Sequence, residues 1–199
     1  MMTFVETISL RNGTIENLTD HECRMYNTMI HFFGRKPDFS PAHIEIPAEY
    51  MQGHCKMRLV YAERLISTQF SAYAPKVIRS LRCVEANHLY YAYKFEDRLP
   101  LLSLLAMRGE ADDILIVKNG QITDTSYSNV VLQKNNQYFT PSNPLLAGTR
   151  RHSLLKRGVI EPIAVTPADL PGFDRLYLIN AMIDINDNVS IPIEAIQVK

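Results

Sequence analysis

Lys94 closes a run of bulky, partly apolar residues, Tyr90-Tyr91-Ala92-Tyr93-Lys94. A lysine amine condenses with an aldehyde only when unprotonated, and partial burial among such neighbours favours that form. The plainer reading of the same segment is a strand-end lysine pointing into water. His21-Glu22-Cys23-Arg24 places His21 and Arg24 three apart on one helical face. A guanidinium there can grip a phosphate at two points, or form an ordinary surface ion pair. Gln121 through Asn129 is dense in hydroxyls and amides around one carboxylate, Asp124. It suits the lining of a site and a polar turn about equally. Further on, Leu145-Leu146-Ala147-Gly148-Thr149-Arg150-Arg151 puts a glycine at the entrance to a helix. The unpaired amides and positive dipole of a helix start can hold a phosphate.

Other chemistries find less support. The six histidines form no metal-ligand pattern, and no serine has a histidine partner suggesting a triad. The glycines match neither a P-loop nor a dinucleotide fingerprint. Lys plus Arg (21) balances Asp plus Glu (21), so the net charge gives no reason to expect nucleic acid or an anionic membrane as partner. No apolar run is long enough to cross a bilayer, and Met-Met-Thr-Phe-Val-Glu does not read as a signal peptide. Cys23, Cys55 and Cys83 are widely spaced and odd in number, which predicts free thiols in a reducing cytoplasm.

The elements that must position these residues are legible in outline. Phe4–Leu10 reads as a strand ending at an Asn12-Gly13 hairpin turn. Thr19 and Glu22 suggest a capping box, followed by a helix through Met25, Met29, Ile30 and Phe33 that Gly34 stops. After a proline-marked loop, strands are expected at Lys56–Tyr61, Leu65–Tyr73 and Leu81–Glu85. The first half is thus an α+β unit with a mainly antiparallel sheet. In the second half, Leu99–Met107 reads as helical. Hairpins turn at Asn119-Gly120 and Asn135-Asn136, Thr149–Arg157 forms a helix stopped by Gly158, and strands follow at Val159–Val165 and Leu176–Ile179. The expected boundaries are a small α+β domain over 1–87 and a larger barrel-like domain over 88–199.

Order and spacing together carry more than any one piece. A lysine ahead of a helix (Lys94), a G-x-[IV]-T-x-x-x-x-x-N segment (Gly120–Asn129), and Thr140-Pro141 followed by Gly148-x-x-Arg151 occur in sequence. This arrangement resembles the core of the class IV aminotransferases. Phe4-Val5-Glu6-Thr7-Ile8 is similar to that family's F-E-T strand, and His21-x-x-Arg24 to its H-x-x-R helix, so the resemblance covers nearly the whole chain. It implies the two-domain fold type IV of pyridoxal-phosphate enzymes, here with a truncated N-terminal α/β sandwich and a C-terminal pseudo-barrel.

The resemblance also implies roles. Lys94 would bond to the aldehyde of pyridoxal 5′-phosphate and later shuttle protons, with Thr7 as a further hydroxyl candidate. Arg24 would bind the phosphate, Thr149 and Arg150 would offer it backbone amides, and Asn180-Ala181 would form the last phosphate-proximal segment. Asp124 stands where the family usually has Glu and would face the pyridine nitrogen. Lys94-x-x-Asp97-Arg98-Leu99 and Ile179-Asn180-Ala181-Met182 resemble the family's 4-amino-4-deoxychorismate lyase branch. That branch releases pyruvate and 4-aminobenzoate for folate synthesis. Aminotransfer to branched-chain or D-amino acids is the alternative, and a non-catalytic descendant a second. A small amino substrate and a homodimer in the cytoplasm are the implied partners and setting.

Overall fold

A computed structural model describes residues 2–198. The chain divides into two compact units, Met1–Pro75 with Tyr93–Asp97, and Lys76–Ala92 with Arg98–Lys199.

In the first unit, β1 (Phe4–Arg11) turns through Asn12 and Gly13 into the short β2 (Thr14–Ile15). Both turn residues have positive φ, 48° and 75°, as the sequence predicts for a tight hairpin. The helix α1 (Leu18–Phe33) follows, then β3 (His54–Tyr61) and β4 (Leu65–Ala72). The strands form one antiparallel sheet in the order β2-β1-β3-β4. Alternation puts Phe4, Glu6, Ile8 and Leu10 on one face of β1. Their register partners on β3 are Tyr61, Leu59, Met57 and Cys55. All of these are buried, and Glu6 is the one carboxylate among them.

Helix α1 begins differently from the expected capping box. Its N-cap is Asn17 in the left-handed region, whose carbonyl accepts from the amides of Asp20 and His21. Thr19 lies inside the first turn, and Glu22 accepts from the Ser40 hydroxyl instead of reaching back. The buried positions of α1 are His21, Met25, Thr28 and Met29, while Ile30 is exposed. Gly34 ends the helix at φ 65°, its amide donating to Ile30, as expected.

The segment Tyr93–Asp97 is held in the same unit. The Val5 amide donates to the Lys94 carbonyl at 2.9 Å, and the Glu96 amide to the Thr3 carbonyl at 2.9 Å. Phe95 packs 5.2 Å from the Phe4 ring. Lys94 therefore stands in an irregular stretch pinned to the edge of β1, not at the end of a tyrosine-rich strand.

The second unit contains β5 (Leu81–Glu85), α2 (Leu99–Leu105), β6 (Asp113–Lys118), β7 (Gln121–Thr125), β8 (Asn129–Lys134), β9 (Gln137–Pro141) and α3 (Thr149–Lys156). It continues with β10 (Glu161–Ile163), β11 (Arg175–Ile179), β12 (Ser190–Pro192) and β13 (Ile196–Gln197). The main path of the sheet is β10-β9-β8-β7-β6-β5-β13, with β11 joining β8 to β12. Asn119-Gly120 and Asn135-Asn136 make the two expected hairpins, all four residues at positive φ. Leu115, Val130, Leu132, Leu176 and Leu178 centre the core.

The division departs from the expected boundary near residue 88 for a topological reason. Strand β5 forms as expected, but it pairs in parallel with β6 and β13, which draws residues from 76 onward into the second unit. The apolar run Val159–Val165 yields only the three-residue β10, lying parallel to β9 beyond the Gly158 turn.

Candidate functional site

Two networks of buried polar side chains gather the residues singled out by the sequence, one in each unit. In the first, the Glu6 carboxylate lies at the meeting of β1 and α1. Arg24 donates to it twice, Nε to Oε1 at 2.8 Å and Nη2 to Oε2 at 2.5 Å. His21 Nδ1 lies 2.5 Å from Oε2. Glu6 and His21 are fully buried, and the Arg24 side chain is 14% exposed. Burial alone would raise the proton affinity of Glu6, but the Arg24 charge and the His21 contact more than offset it and hold the carboxyl at about 2. Burial lowers the pKa of His21, against the opposing pull of Glu6, and the charges of Arg24 and Lys94 push the same way as burial. Arg24 and His21 thus share the Glu6 carboxylate, and the charge of Lys94 is felt at His21. The Thr28 hydroxyl donates to the Arg24 carbonyl at 2.8 Å and hydrogen-bonds Tyr61, closing the network.

In the second unit, Asp124 on β7 is 4% exposed. Its Oδ1 accepts from Asn129 Nδ2 at 2.8 Å and its Oδ2 from the Leu146 amide at 2.8 Å. Asn129 also donates to the Leu146 carbonyl at 2.8 Å. These partners are neutral, so burial dominates and raises the carboxyl to about 6. The same bonds fix the turn before α3. Gly148, the N-cap of α3, lies so close to Asn129 that a Cβ would stand 1.9 Å from Asn129 Oδ1. Its φ of −71° is ordinary, so the requirement for glycine is one of space.

Thr149 and Arg150 follow in the first helical turn, both buried. The Arg150 side chain turns aside to Asp184, Nη1 to Oδ2 at 2.9 Å, and to the Ala181 carbonyl at 3.3 Å. Asn180 donates to Ser128 Oγ at 3.0 Å, and its Oδ1 accepts from the Met182 and Ile183 amides. Arg151 is buried and donates to Thr140 Oγ1 at 3.2 Å and the Pro141 carbonyl at 2.8 Å, tying α3 to β9.

Of the seven residues selected from the sequence, Arg24 and Lys94 fall in the first unit. Asp124, Thr149, Arg150, Asn180 and Ala181 fall in the second, joined through Asn129, Gly148, Ser128 and Asp184. Sequence reasoning assigned no role to Glu6, Ser128, Asn129 or Asp184. For Glu6 a signal existed, since it is the acidic interruption of an otherwise apolar alternation, Phe4-x-Glu6-x-Ile8-x-Leu10. The three cysteines are free, as expected. No helix among the described residues is long and apolar enough to cross a membrane.

The family model described as amino-transferase class IV matches residues 65–187, more than half of the sequence, and the chain belongs to that family. An uncharacterized protein of Haemophilus influenzae is 31% identical over 187 residues, 92% of this chain and 98% of that one. A crystal structure from Haemophilus somnus 129PT, provisionally assigned as a 4-amino-4-deoxychorismate lyase, is 29% identical with a TM-score of 0.80, covering 92% of this chain and 98% of its own. A hypothetical aminotransferase from Mycobacterium tuberculosis, in a form with pyridoxal phosphate bound, shares the fold at a TM-score of 0.77 and 17% identity, covering 98% of this chain and 81% of its own.

Proposed function

We propose that the chain is a pyridoxal-phosphate-dependent 4-amino-4-deoxychorismate lyase that releases pyruvate and 4-aminobenzoate, the latter for folate synthesis. The observation carrying this reading is the match to the Haemophilus somnus protein along nearly the full length of both chains. The Arg98-Leu99 and Asn180-Ala181-Met182 sequences agree with it.

Each group of donors suits a part of the cofactor. Lys94 supplies a primary amine and Arg24 a guanidinium fixed in plane by Glu6. The start of α3 adds amides beside a glycine that leaves no room for a side chain. Asn180 and Ala181 lie beside that helix start through Arg150. Asp124 provides a dry carboxylate whose oxygens each hold one N–H and keep further lone-pair capacity for the pyridine nitrogen. When bound, the cofactor serves as an electron sink for charge developing beside the substrate nitrogen.

In this reading Lys94 would hold the cofactor, and its amine would serve as the base once the substrate is bound. Its amine would take the proton from the substrate carbon that bears the amino group; the electron pair left there would form the last ring double bond and expel the enolpyruvyl oxygen from the next carbon, and that enol becomes pyruvate on gaining a proton. Arg24 and the α3 amides are each proposed to bind phosphate. The proposed setting is a cytoplasmic homodimer acting on a small amino substrate.

Aminotransfer is the second reading, favoured by the fold shared with the Mycobacterium tuberculosis protein. An assay of the cofactor-loaded protein with 4-amino-4-deoxychorismate, following pyruvate and 4-aminobenzoate, separates the two. Both products appear if the lyase reading holds. Their absence, with amino-group transfer from a branched-chain or D-amino acid, installs the aminotransferase. A protein that takes up no cofactor at all is a non-catalytic descendant.

A further inference from the structure

Glu6 is an expensive residue in its position. It interrupts the apolar face of β1 between Phe4 and Ile8, both fully buried, and is itself fully buried. An apolar side chain there would fill the same space without a desolvation cost, and a buried ion pair seldom adds stability over such a replacement. What the carboxylate does provide is direction. Its two oxygens take Nε and Nη2 of Arg24 in parallel, a fork-to-fork arrangement that fixes the plane of the guanidinium. The third contact, His21 Nδ1 at 2.5 Å, comes from one turn earlier on α1 and fixes the carboxylate in turn. With His21 neutral, the carboxylate and the guanidinium cancel in charge. Arg24 then attracts an anion through aimed N–H groups more than through net charge, so its orientation decides how well it binds.

We propose that Glu6 is the positioning residue of Arg24, setting the plane in which the guanidinium meets the cofactor phosphate, with His21 as the brace that holds Glu6. The proposal rests on the reading of Arg24 as a phosphate-binding residue and extends it to two residues that the chemistry had left unassigned.

The test compares two aldehydes, pyridoxal 5′-phosphate and pyridoxal, which differ only in the phosphate. Binding of each is followed by absorbance titration of the purified full-length protein, with no turnover required. Glu6→Gln is expected to weaken the phosphate-bearing aldehyde about tenfold, the worth of one charge-assisted hydrogen bond, and to leave pyridoxal within about twofold. Arg24→Ala should give a larger loss of the same selective kind. Glu6→Gln added to Arg24→Ala should change nothing further, because the two act as one unit.

Equal weakening of both aldehydes by Glu6→Gln would show a merely structural role and overturn the proposal, as would tighter or unchanged binding of the phosphate form. If Arg24→Ala itself leaves both affinities unchanged, the phosphate reading of Arg24 fails and the proposal fails with it, a result distinct from a selective Arg24 effect without a Glu6 effect. Should Glu6→Gln not fold, His21→Gln gives the same comparison with a smaller selective loss, about threefold. An unselective loss from His21→Gln would count against the proposal.

Discussion

Glu6 and Asp124 are both buried carboxylates held by two side chains or amides, and their proton affinities move in opposite directions. Glu6 meets a guanidinium and a histidine and falls to about 2. Asp124 meets an asparagine amide and backbone N–H groups, with the charge of Arg151 a lesser influence, and rises to about 6. Burial raises both. The difference lies in the donors, because a full positive charge in hydrogen-bond contact offsets desolvation and neutral dipoles do so only in part. The first network is therefore an ion cluster that orients a charged side chain. The second is a set of neutral bonds that fixes the shape of a turn.

Substitutions in the two networks should differ in cost. Glu6→Ala leaves the largely buried Arg24 guanidinium and the buried His21 without their carboxylate and should cost about 3 kcal/mol of folding stability, measured by denaturant unfolding at neutral pH. Gly148→Ala drives a methyl group into Asn129, which carries the bond to Asp124, and should cost about 3 kcal/mol by the same measurement.

Acid sharpens the contrast further. Glu6 sits below its unfolded value of 4.5, so its contribution is present above pH 4.5 and is lost as pH falls toward 2, roughly 3 kcal/mol in all. Asp124 sits above its unfolded value of 3.8, so the folded state takes up a proton first. Its contribution makes the protein more stable as pH falls from 6 toward 4, by up to roughly 3 kcal/mol. Unfolding stability of the wild type minus that of Asp124→Asn, followed from pH 7 to 4, isolates that gain. A flat difference would contradict the assigned environment. At neutral pH Asp124→Asn should be the mildest of these changes, about 1 kcal/mol, because it relieves a buried charge while disturbing one neutral bond.

Much of the fold was legible because its signals are local. Three Asn-containing turns forced hairpins, and Gly34 and Gly158 ended helices at positive φ. What was not legible depends on partners distant in sequence. Leu81–Glu85 looks like any strand, and only the parallel pairing with β6 assigns it to the second unit. The start of α1 went to Asn17 because a left-handed residue closed the turn through its backbone, without the side-chain bonds that a capping box advertises. Among the candidate residues, Lys94, Arg24 and the α3 entrance stood out by type and spacing. The cage around Asp124 did not, since the Leu146 amide lies 22 positions along the chain.

Lys94 is the proposed cofactor-bearing lysine of this class IV family member. Its most direct test is borohydride reduction of the protein loaded with pyridoxal 5′-phosphate, followed by peptide mass analysis, with Lys94→Ala alongside. One modified peptide is expected, with the added mass on Lys94, and both that adduct and the bound-cofactor absorbance should be lost in Lys94→Ala. Stable modification at another lysine, or an unchanged absorbance in Lys94→Ala, would contradict it.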